Sequence, residues 1–160
     1  MVILVMGVSG SGKTTIGQML SAQLNWPFVD GDSLHSAANV AKMAAGIPLT
    51  DDDRAPWLQS IHDVIEGWRM QHKSGIIASS ALKEKYRQIL LTSPEIKLVY
   101  LRGSYDLIYS RMQHRPGHYM KPEMLQSQFA ALEEPTDAIF VDIAAPVEEI
   151  VASIRQNLAI

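Results

Sequence analysis

Short apolar runs alternate with amphipathic segments along the whole chain. Runs with the length and content of buried strands cover residues 2–6, 27–30, 75–79, 96–101 and 139–142. Segments with the 3.6-residue spacing of helices lie between and after them, at 13–24, 34–45, 57–72, 83–91, 104–112, 123–132 and 147–158. Strands that alternate with helices form a parallel sheet covered on both faces. We therefore predict one α/β domain over 1–160, with five parallel strands.

A glycine-rich loop joins the first predicted strand to the first predicted helix. Its sequence, Gly7-Val8-Ser9-Gly10-Ser11-Gly12-Lys13-Thr14, matches G-x-x-x-x-G-K-[ST] in full. The successive N–H groups of such a loop, together with the helix N-terminus behind it, attract phosphate oxygens. Lys13 can reach the β- and γ-phosphates, and the Thr14 hydroxyl can ligate Mg²⁺. The loop therefore predicts a nucleoside triphosphate site on a P-loop NTPase fold.

Two carboxylates, Asp30 and Asp32, follow the second predicted strand. Open parallel sheets bind ligands at the carboxyl ends of their strands, where the glycine-rich loop also lies. One carboxylate can hold the Mg²⁺ shell, and the other can bind or deprotonate an acceptor hydroxyl. An Asp-Gly turn without chemistry explains the same residues equally well. The chain has no Asn-Lys-x-Asp segment, with which GTPases recognise guanine, and its length leaves no room for the large inserts of motor ATPases. A small-molecule kinase is therefore favoured.

Composition and charge narrow the function further. The formal net charge is −3, so the basic excess of a non-specific nucleic-acid binder is absent. The absence of cysteine excludes a disulfide scaffold, a thiolate metal site and a cysteine nucleophile. No stretch reaches the roughly 18 apolar residues of a membrane span, and the apolar N-terminus lacks the basic flank of a signal peptide. We expect a cytoplasmic protein that binds neither nucleic acid nor membranes.

Several colinear segments resemble the gluconokinase family. They are GVSGSGKTT at 7–15, DGDSLH at 30–35, GIPLTDDDRAPWL at 46–58, SALK at 80–83 and SQFAALEEP at 127–135, with Asn39, Lys42-Met43, Tyr86-Arg87, Arg111, Arg115 and His118-Tyr119-Met120. The resemblance covers nearly the whole chain. It implies ATP-dependent phosphorylation of D-gluconate at the 6-hydroxyl, with Mg²⁺. It also implies a fold like that of nucleoside-monophosphate kinases, a mobile lid near 113–122, and a homodimer.

The resemblance also implies roles for individual residues. The ATP site comprises Gly7, Val8, Ser9, Gly10, Ser11, Gly12, Lys13, Thr14 and Thr15. The Mg²⁺ site comprises Thr14 and Asp30, and the gluconate site comprises Asp32, His35, Arg54 and Lys83. The expected catalytic residues are Lys13, Asp32, Arg111 and Arg115, of which the two arginines belong to the lid and stabilise the transferred phosphoryl group. By analogy with the fold, residues 144–147 are expected to touch adenine.

Some of these assignments have alternatives. By residue type alone, Arg54 and Lys83 are solvated surface charges, and Arg87 is better explained by a structural role. The acidic run 51–53 fits a helix-capping box after Thr50 better than a metal site. Ser79 stands where family members often have cysteine, and Gln88 stands where we expect aspartate. The alternative functions are a shikimate- or nucleotide-type kinase of the same fold, or a non-catalytic ATP-binding regulator.

Overall fold

A five-stranded parallel sheet forms the centre of the computed structural model, which describes residues 1–114 and 122–160. The strands are β1 (Val2–Met6), β2 (Phe28–Asp30), β3 (Gly75–Ala78), β4 (Ile96–Arg102) and β5 (Ile139–Asp142). They lie in the order β2-β3-β1-β4-β5, and every neighbouring pair is parallel. The predicted α/β sheet is therefore confirmed. Because all strands run the same way, their carboxyl ends meet at one edge.

Helices connect the strands and cover both faces of the sheet. They are α1 (Lys13–Leu24), α2 (Ala37–Ala44), α3 (Asp51–Met70), α4 (Glu84–Leu90), α5 (Tyr105–Gln113), α6 (Pro122–Ala131) and α7 (Val147–Leu158). A short 3₁₀ helix, Gly31–Leu34, lies between β2 and α2. Most predicted bounds agree with these to within one or two residues. Across residues 1–114 and 122–160, none of the helices has both the length and the apolar content of a membrane span.

The central strand β1 is buried on both faces, which explains its uninterrupted apolar sequence. Successive side chains of a strand point to opposite faces. Ile3 packs in one core with Leu20 of α1, while Leu4 packs in the other core with Ile61 of α3. The two cores hold the sheet rigidly between helix layers, so the loops at its carboxyl edge have a fixed base.

Two predicted helix starts were wrong, and hydrogen-bonded caps explain both. The helix predicted to begin at 57 begins at Asp51, because Thr50 and Asp53 form a capping box. Asp53 N donates to Thr50 Oγ1 (3.1 Å), and Thr50 N donates to Asp53 Oδ2 (2.9 Å). Pro56 is tolerated inside this helix. The helix predicted over 34–45 begins at Ala37, because the Ser36 side chain caps it. The interpretation of 51–53 as a cap is thereby confirmed.

A buried hydroxyl lies at the end of β3 and gives a stability prediction. Ser79 is 0% exposed, and its Oγ has no hydrogen-bond partner among the described residues. We expect Ser79→Ala to raise the free energy of unfolding by about 1 kcal/mol, because a buried unpaired polar group is destabilising. Equilibrium urea denaturation measures this change. A lower free energy of unfolding in the variant would contradict the prediction, since it would mean that the hydroxyl has a stabilising partner.

Candidate active site

The glycine-rich loop turns between β1 and α1 at the carboxyl edge of the sheet. Gly10 and Gly12 have φ angles of +80° and +99°, in the left-handed region that glycine adopts at little cost. A Cβ at Gly10 would also come within 2.7 Å of Met112 Sδ. The backbone conformation therefore favours glycine at position 10, and a side chain there would also displace Met112. The loop follows a buried strand and opens a helix, which is the context that the motif needs to bind phosphate.

Lys13 is part of the glycine-rich motif and is the first residue of α1, and its side chain folds back over the loop. Its Nζ donates to the carbonyl oxygens of Gly7 (3.1 Å) and Val8 (3.0 Å). Burial lowers the pKa of Lys13, while the negative charges of Asp32 and Asp30 act in the opposite direction. Within residues 1–114 and 122–160, the acceptors at hydrogen-bond distance from the ammonium are thus these two neutral carbonyls. Charged phosphate oxygens are stronger acceptors and can replace them.

Thr14 and Asp30 form the part of the site that suits a magnesium ion. Thr14 Oγ1 donates to Asp30 Oδ2 (3.0 Å), and Asp32 N donates to Asp30 Oδ1 (3.0 Å). These are hard oxygen donors, and Mg²⁺ commonly takes only one or two protein ligands and completes its shell with phosphate and water. The described part of the chain has no group of three or more metal-ligating His, Asp or Glu side chains. The residues therefore fit a phosphate-bound Mg²⁺.

A cavity of about 400 Å³ opens on one side of the loop. Arg111 and Met112 at the end of α5 form a second wall, and residues 143–147 after β5 form a third. The loop contributes Gly10, Ser11, Gly12 and Thr15. The structure thus brings Arg111 and the segment 144–147 to the same cavity as the loop. Arg115 and most of the lid expected at 113–122 lie outside the described residues.

A smaller cavity of about 100 Å³ lies on the other side of the loop. Three of the four residues expected to bind the acceptor line it, together with Lys13: they are Asp32, His35 and Arg54. Ser9, Trp57, Met124, Ser127 and Gln128 are also among its lining residues. The glycine-rich loop therefore separates a larger cavity from a smaller, charged one. Ser9 and Lys13, both expected in the ATP site, line the smaller cavity.

An aromatic stack holds His35 at the smaller cavity. The rings of His35 and Trp57 lie parallel, with centroids 4.1 Å apart and planes 13° apart. Trp57 is buried, and its Nε1 donates to the Gly31 carbonyl (2.7 Å), which ties α3 to the 3₁₀ helix after β2. This contact explains how a histidine outside any regular helix has a defined position.

Asn39 determines which nitrogen of His35 carries the proton. Asn39 Nδ2 donates to the Asp53 carbonyl (2.8 Å), which can only accept, and the same Nδ2 lies 3.2 Å from His35 Nδ1. His35 Nδ1 therefore accepts, and the ring proton is on Nε2. Burial lowers the pKa of His35, with Asp32 opposing this shift and Arg54 adding to it. A neutral His35 can thus donate one hydrogen bond through Nε2.

Arg54 lines the smaller cavity, and its contacts with neighbouring residues fix the position of its guanidinium. Its Nη1 donates to the Leu49 carbonyl (2.7 Å) and to Tyr86 Oη (3.3 Å), and its guanidinium lies 5.6 Å from the Tyr86 ring centre. Tyr86 Oη in turn donates to Asp51 Oδ1 (2.5 Å). No carboxylate in the described ranges forms a salt bridge with Arg54. Its charge is therefore available for an anionic ligand.

Lys83 is not among the residues that line the smaller cavity. Its Nζ lies 3.9 Å from Asp51 Oδ1 and 5.8 Å from the centre of the Tyr86 ring. Hydrogen bonds from Lys85 and Tyr86 lower the pKa of Asp51 to about 2, so this carboxylate is charged and attracts both lysines at neutral pH. The expected contact between Lys83 and the acceptor stays a prediction.

The structural role expected for Arg87 is confirmed. Arg87 is 2% exposed and donates to the carbonyls of Ala81 (2.8 Å), Leu82 (3.1 Å) and Glu133 (2.7 Å). Ala81 has φ +46°, an uncommon conformation for alanine. Arg87 therefore stabilises the strained loop after β3 and joins it to the segment after α6.

Sequence reasoning assigned no role to Gln128, which contacts the loop twice. Ser9 N donates to Gln128 Oε1 (2.6 Å), and Gln128 Nε2 donates to Ser9 Oγ (2.8 Å). The two residues are 119 positions apart, so no local pattern indicates the contact. Trp57 and Asn39 were also given no role. The only signal in the sequence was that all three lie in segments or at positions that resemble the gluconokinase family.

Comparisons with known proteins agree with this geometry. The family model described as Shikimate kinase matches residues 9–159. A thermoresistant gluconokinase of Escherichia coli is 45% identical over an alignment of 157 positions, gaps included, which covers 95% of this chain and 90% of that protein. A probable gluconokinase of Mus musculus is 42% identical over an alignment of 178 positions, gaps included, which covers 98% of this chain and 97% of that protein. A crystal structure of a gluconokinase from Sinorhizobium meliloti has a TM-score of 0.90 and 41% identity, covering 99% of this chain and 91% of that chain. The chain therefore belongs to the gluconokinase family, within the wider group of P-loop kinases that the shikimate kinase model describes.

Proposed function

We propose that this protein transfers the γ-phosphoryl group of ATP to the 6-hydroxyl of D-gluconate, giving 6-phospho-D-gluconate and ADP. One observation carries the proposal: two cavities share the glycine-rich loop, and the smaller has Lys13, Asp32, His35 and Arg54 in its wall. Such an arrangement suits a phosphoryl donor on one side and a small anionic acceptor on the other. The names of the relatives support gluconate as the acceptor.

Asp32 and Lys13 act at the reacting atoms in this mechanism. Asp32 accepts a hydrogen bond from the 6-hydroxyl, holds its oxygen in line with the γ-phosphorus and takes up its proton. Phosphoryl transfer passes through a loose transition state, so an ordinary carboxylate is a strong enough base, and its position in line with the phosphate matters as well. Lys13 leaves its carbonyl acceptors and neutralises charge on the phosphates as the bond to the leaving oxygen breaks.

Arg54 and His35 bind the rest of the acceptor. The Arg54 guanidinium pairs with the gluconate carboxylate, for which its planar geometry is well suited. His35 donates through Nε2 to a hydroxyl of the chain. Both side chains are held by neighbours, Arg54 by Tyr86 and His35 by Trp57, so little side-chain entropy is lost on binding.

Thr14 and Asp30 would hold Mg²⁺ beside the phosphates. When bound, the ion neutralises charge on the β- and γ-phosphate oxygens. We propose that Arg111 contacts the phosphates from the wall of the larger cavity, and that Arg115 and the lid complete this side of the site. Residues 144–147 take the adenine, since they lie across that cavity from the loop.

A panel of acceptors tests the proposal. ADP release with Mg-ATP is followed by a coupled assay with D-gluconate, glucose, shikimate and nucleoside monophosphates. We expect strong stimulation by gluconate only, because glucose lacks the carboxylate that Arg54 binds, shikimate lacks a primary hydroxyl, and nucleoside monophosphates carry a phosphate and a base in place of the sugar-acid chain. Turnover of another acceptor without gluconate turnover would overturn the substrate assignment. ATP binding without any acceptor-dependent ADP release would favour the regulator.

The role of Arg54 gives a separate prediction. Arg54→Met is expected to raise the KM for gluconate by about 100-fold, because loss of one partner of a desolvated ion pair costs about 2–5 kcal/mol. The KM for ATP is expected to change little, since Arg54 lines the smaller cavity only. Arg69→Met is the matched control, because Arg69 lies near the other end of α3 and pairs with Glu66. A KM for gluconate within threefold of the wild type would contradict the role of Arg54.

We also propose a homodimer that acts in the cytoplasm, as the resemblance to the family implies. Exposed apolar side chains such as Ile89 and Phe140 offer surface for contact between subunits. Light scattering after size exclusion tests the assembly. A molar mass of twice the 17.7 kDa of one chain is expected, and a value equal to one chain would overturn the dimer.

A further inference from the structure

The side chain of Gln128 joins α6 to the glycine-rich loop at a single residue. Its Oε1 accepts from Ser9 N (2.6 Å), and its Nε2 donates to Ser9 Oγ (2.8 Å). These two bonds determine which end of the carboxamide is oxygen and which is nitrogen, because a backbone N–H can only donate. Both groups are partly buried. The orientation of the pair is therefore well defined.

The pair belongs to the acceptor side of the loop. Ser9 and Gln128 line the smaller cavity together with Asp32, His35 and Arg54. The loop residues after Ser9, from Gly10 to Gly12, line the larger cavity instead. Ser9 and Lys13 are thus the residues of the motif that line the smaller cavity. Groups on Ser9 and Gln128 can reach an acceptor without entering the nucleotide cavity.

The pair also has hydrogen-bonding capacity that its internal contacts do not use. Ser9 Oγ accepts from Gln128, so its own proton can be donated to another group. Gln128 Nε2 carries a second N–H, for which no acceptor is recorded among the described residues. Both donors are neutral. They are suited to an alcohol oxygen, whereas Arg54 on the same cavity provides the cation for a carboxylate.

We propose that Ser9 and Gln128 form a hydroxyl-binding subsite that selects acceptors with a polyhydroxylated chain. The proposal rests on the proposed function, since it assigns one secondary hydroxyl of the acceptor to this pair. The Ser9 hydroxyl and the second Gln128 N–H donate to that oxygen. A chain that lacks the hydroxyl leaves two partly buried donors unpaired, which weakens its binding. The pair therefore determines specificity and takes no part in the transfer of the phosphoryl group.

Kinetics of Gln128→Met test this subsite. Methionine keeps the length of the side chain and removes both polar atoms of the carboxamide. We expect the KM for gluconate to rise about 10-fold, as for a lost hydrogen bond to a neutral group, with the KM for ATP within twofold of the wild type. Gln126→Met is the matched control, because Gln126 is exposed on the same helix, and it is expected to behave as the wild type.

Monodeoxy analogues of D-gluconate show whether Ser9 and Gln128 bind a hydroxyl of the acceptor or only hold the glycine-rich loop in place. With the wild-type enzyme, kcat/KM for one of the analogues is expected to be about 10-fold lower than kcat/KM for gluconate. In Gln128→Met, this difference between the two substrates is expected to disappear. Ser9→Ala gives a second test that keeps the backbone bond to Gln128, and it is expected to abolish the same discrimination. A variant that merely disturbed the loop would raise the KM for ATP in parallel and keep the discrimination.

Two results would overturn the subsite. One is an unchanged KM for gluconate in both Gln128→Met and Ser9→Ala. The other is a rise in the KM for ATP with discrimination between the analogues intact. The wild type tests the proposed function separately. If it phosphorylates gluconate while both variants keep their KM for gluconate, the subsite alone is wrong.

Discussion

Replacing Lys13 with methionine is expected to lower kcat for gluconate phosphorylation by about 1,000-fold, the upper range for removal of one preorganised donor from an active site. Lys13 is bound to the carbonyls of Gly7 and Val8, so its ammonium lies over the loop before any phosphate arrives. Lys13 is half-buried, so water screens the phosphate charge less at this position than at the open surface. The effect is therefore larger than that of an exposed lysine.

The measurement for Lys13→Met is steady-state ADP release, with the affinity for ATP taken from a separate binding titration. Most of the loss is expected in kcat, because charge on the leaving oxygen develops only during transfer. Lys73→Met is a suitable control, since Lys73 is exposed and precedes β3 at the opposite edge of the sheet. A kcat within tenfold of the wild type would contradict the assigned role of Lys13.

Replacing Asp32 with asparagine is expected to lower kcat by about 100- to 1,000-fold, within the range for loss of a general base. Asparagine keeps the size of the side chain and one oxygen acceptor, but it cannot take the proton of the 6-hydroxyl. The backbone N–H of Asp32 binds Asp30, which keeps the position of residue 32 in the variant. The loss is therefore attributable to the carboxylate.

Comparison with Asp32→Ala distinguishes a base from a positioning group. If Asp32→Asn keeps most of the activity while Asp32→Ala loses it, the side chain positions the hydroxyl and removes no proton. Asp137→Asn is the control, because Asp137 is exposed and lies just before β5, away from the carboxyl edge. Full activity in Asp32→Ala would exclude both roles.

The predictions that came from local patterns were the most successful. The run at 2–6 is apolar at every position, and such a run is suited to a strand that is covered on both faces. The loop motif depends on glycines and a lysine at fixed spacing, and backbone geometry alone explains that spacing. The start of α3 was predicted too late, although its capping residues, Thr50 and Asp53, had been identified in the sequence.

The candidate site could be predicted only in part, because its walls come from distant segments. Asp32, His35 and Arg54 line one cavity, but the expectation that they bind the acceptor came from the family resemblance and not from their spacing. Lys83 was expected to bind the acceptor with them; it lies beside Asp51 and Tyr86, and its contact with the acceptor stays a prediction. The position of a long lysine side chain depends on the carboxylates around it, and these are set by packing between α3 and α4.

The sequence by itself determined the parallel α/β class, the phosphate-binding loop and the carboxylates after β2, because each depends on residues close together in the chain. Only the tertiary structure decided the strand order, the division of the loop between two cavities, and the partners of the site residues. The contact between Ser9 and Gln128 shows the reason, since it spans 119 positions and forms only after two helices pack on the sheet. Local interactions select the elements, whereas side-chain packing between elements determines which of their polar groups meet.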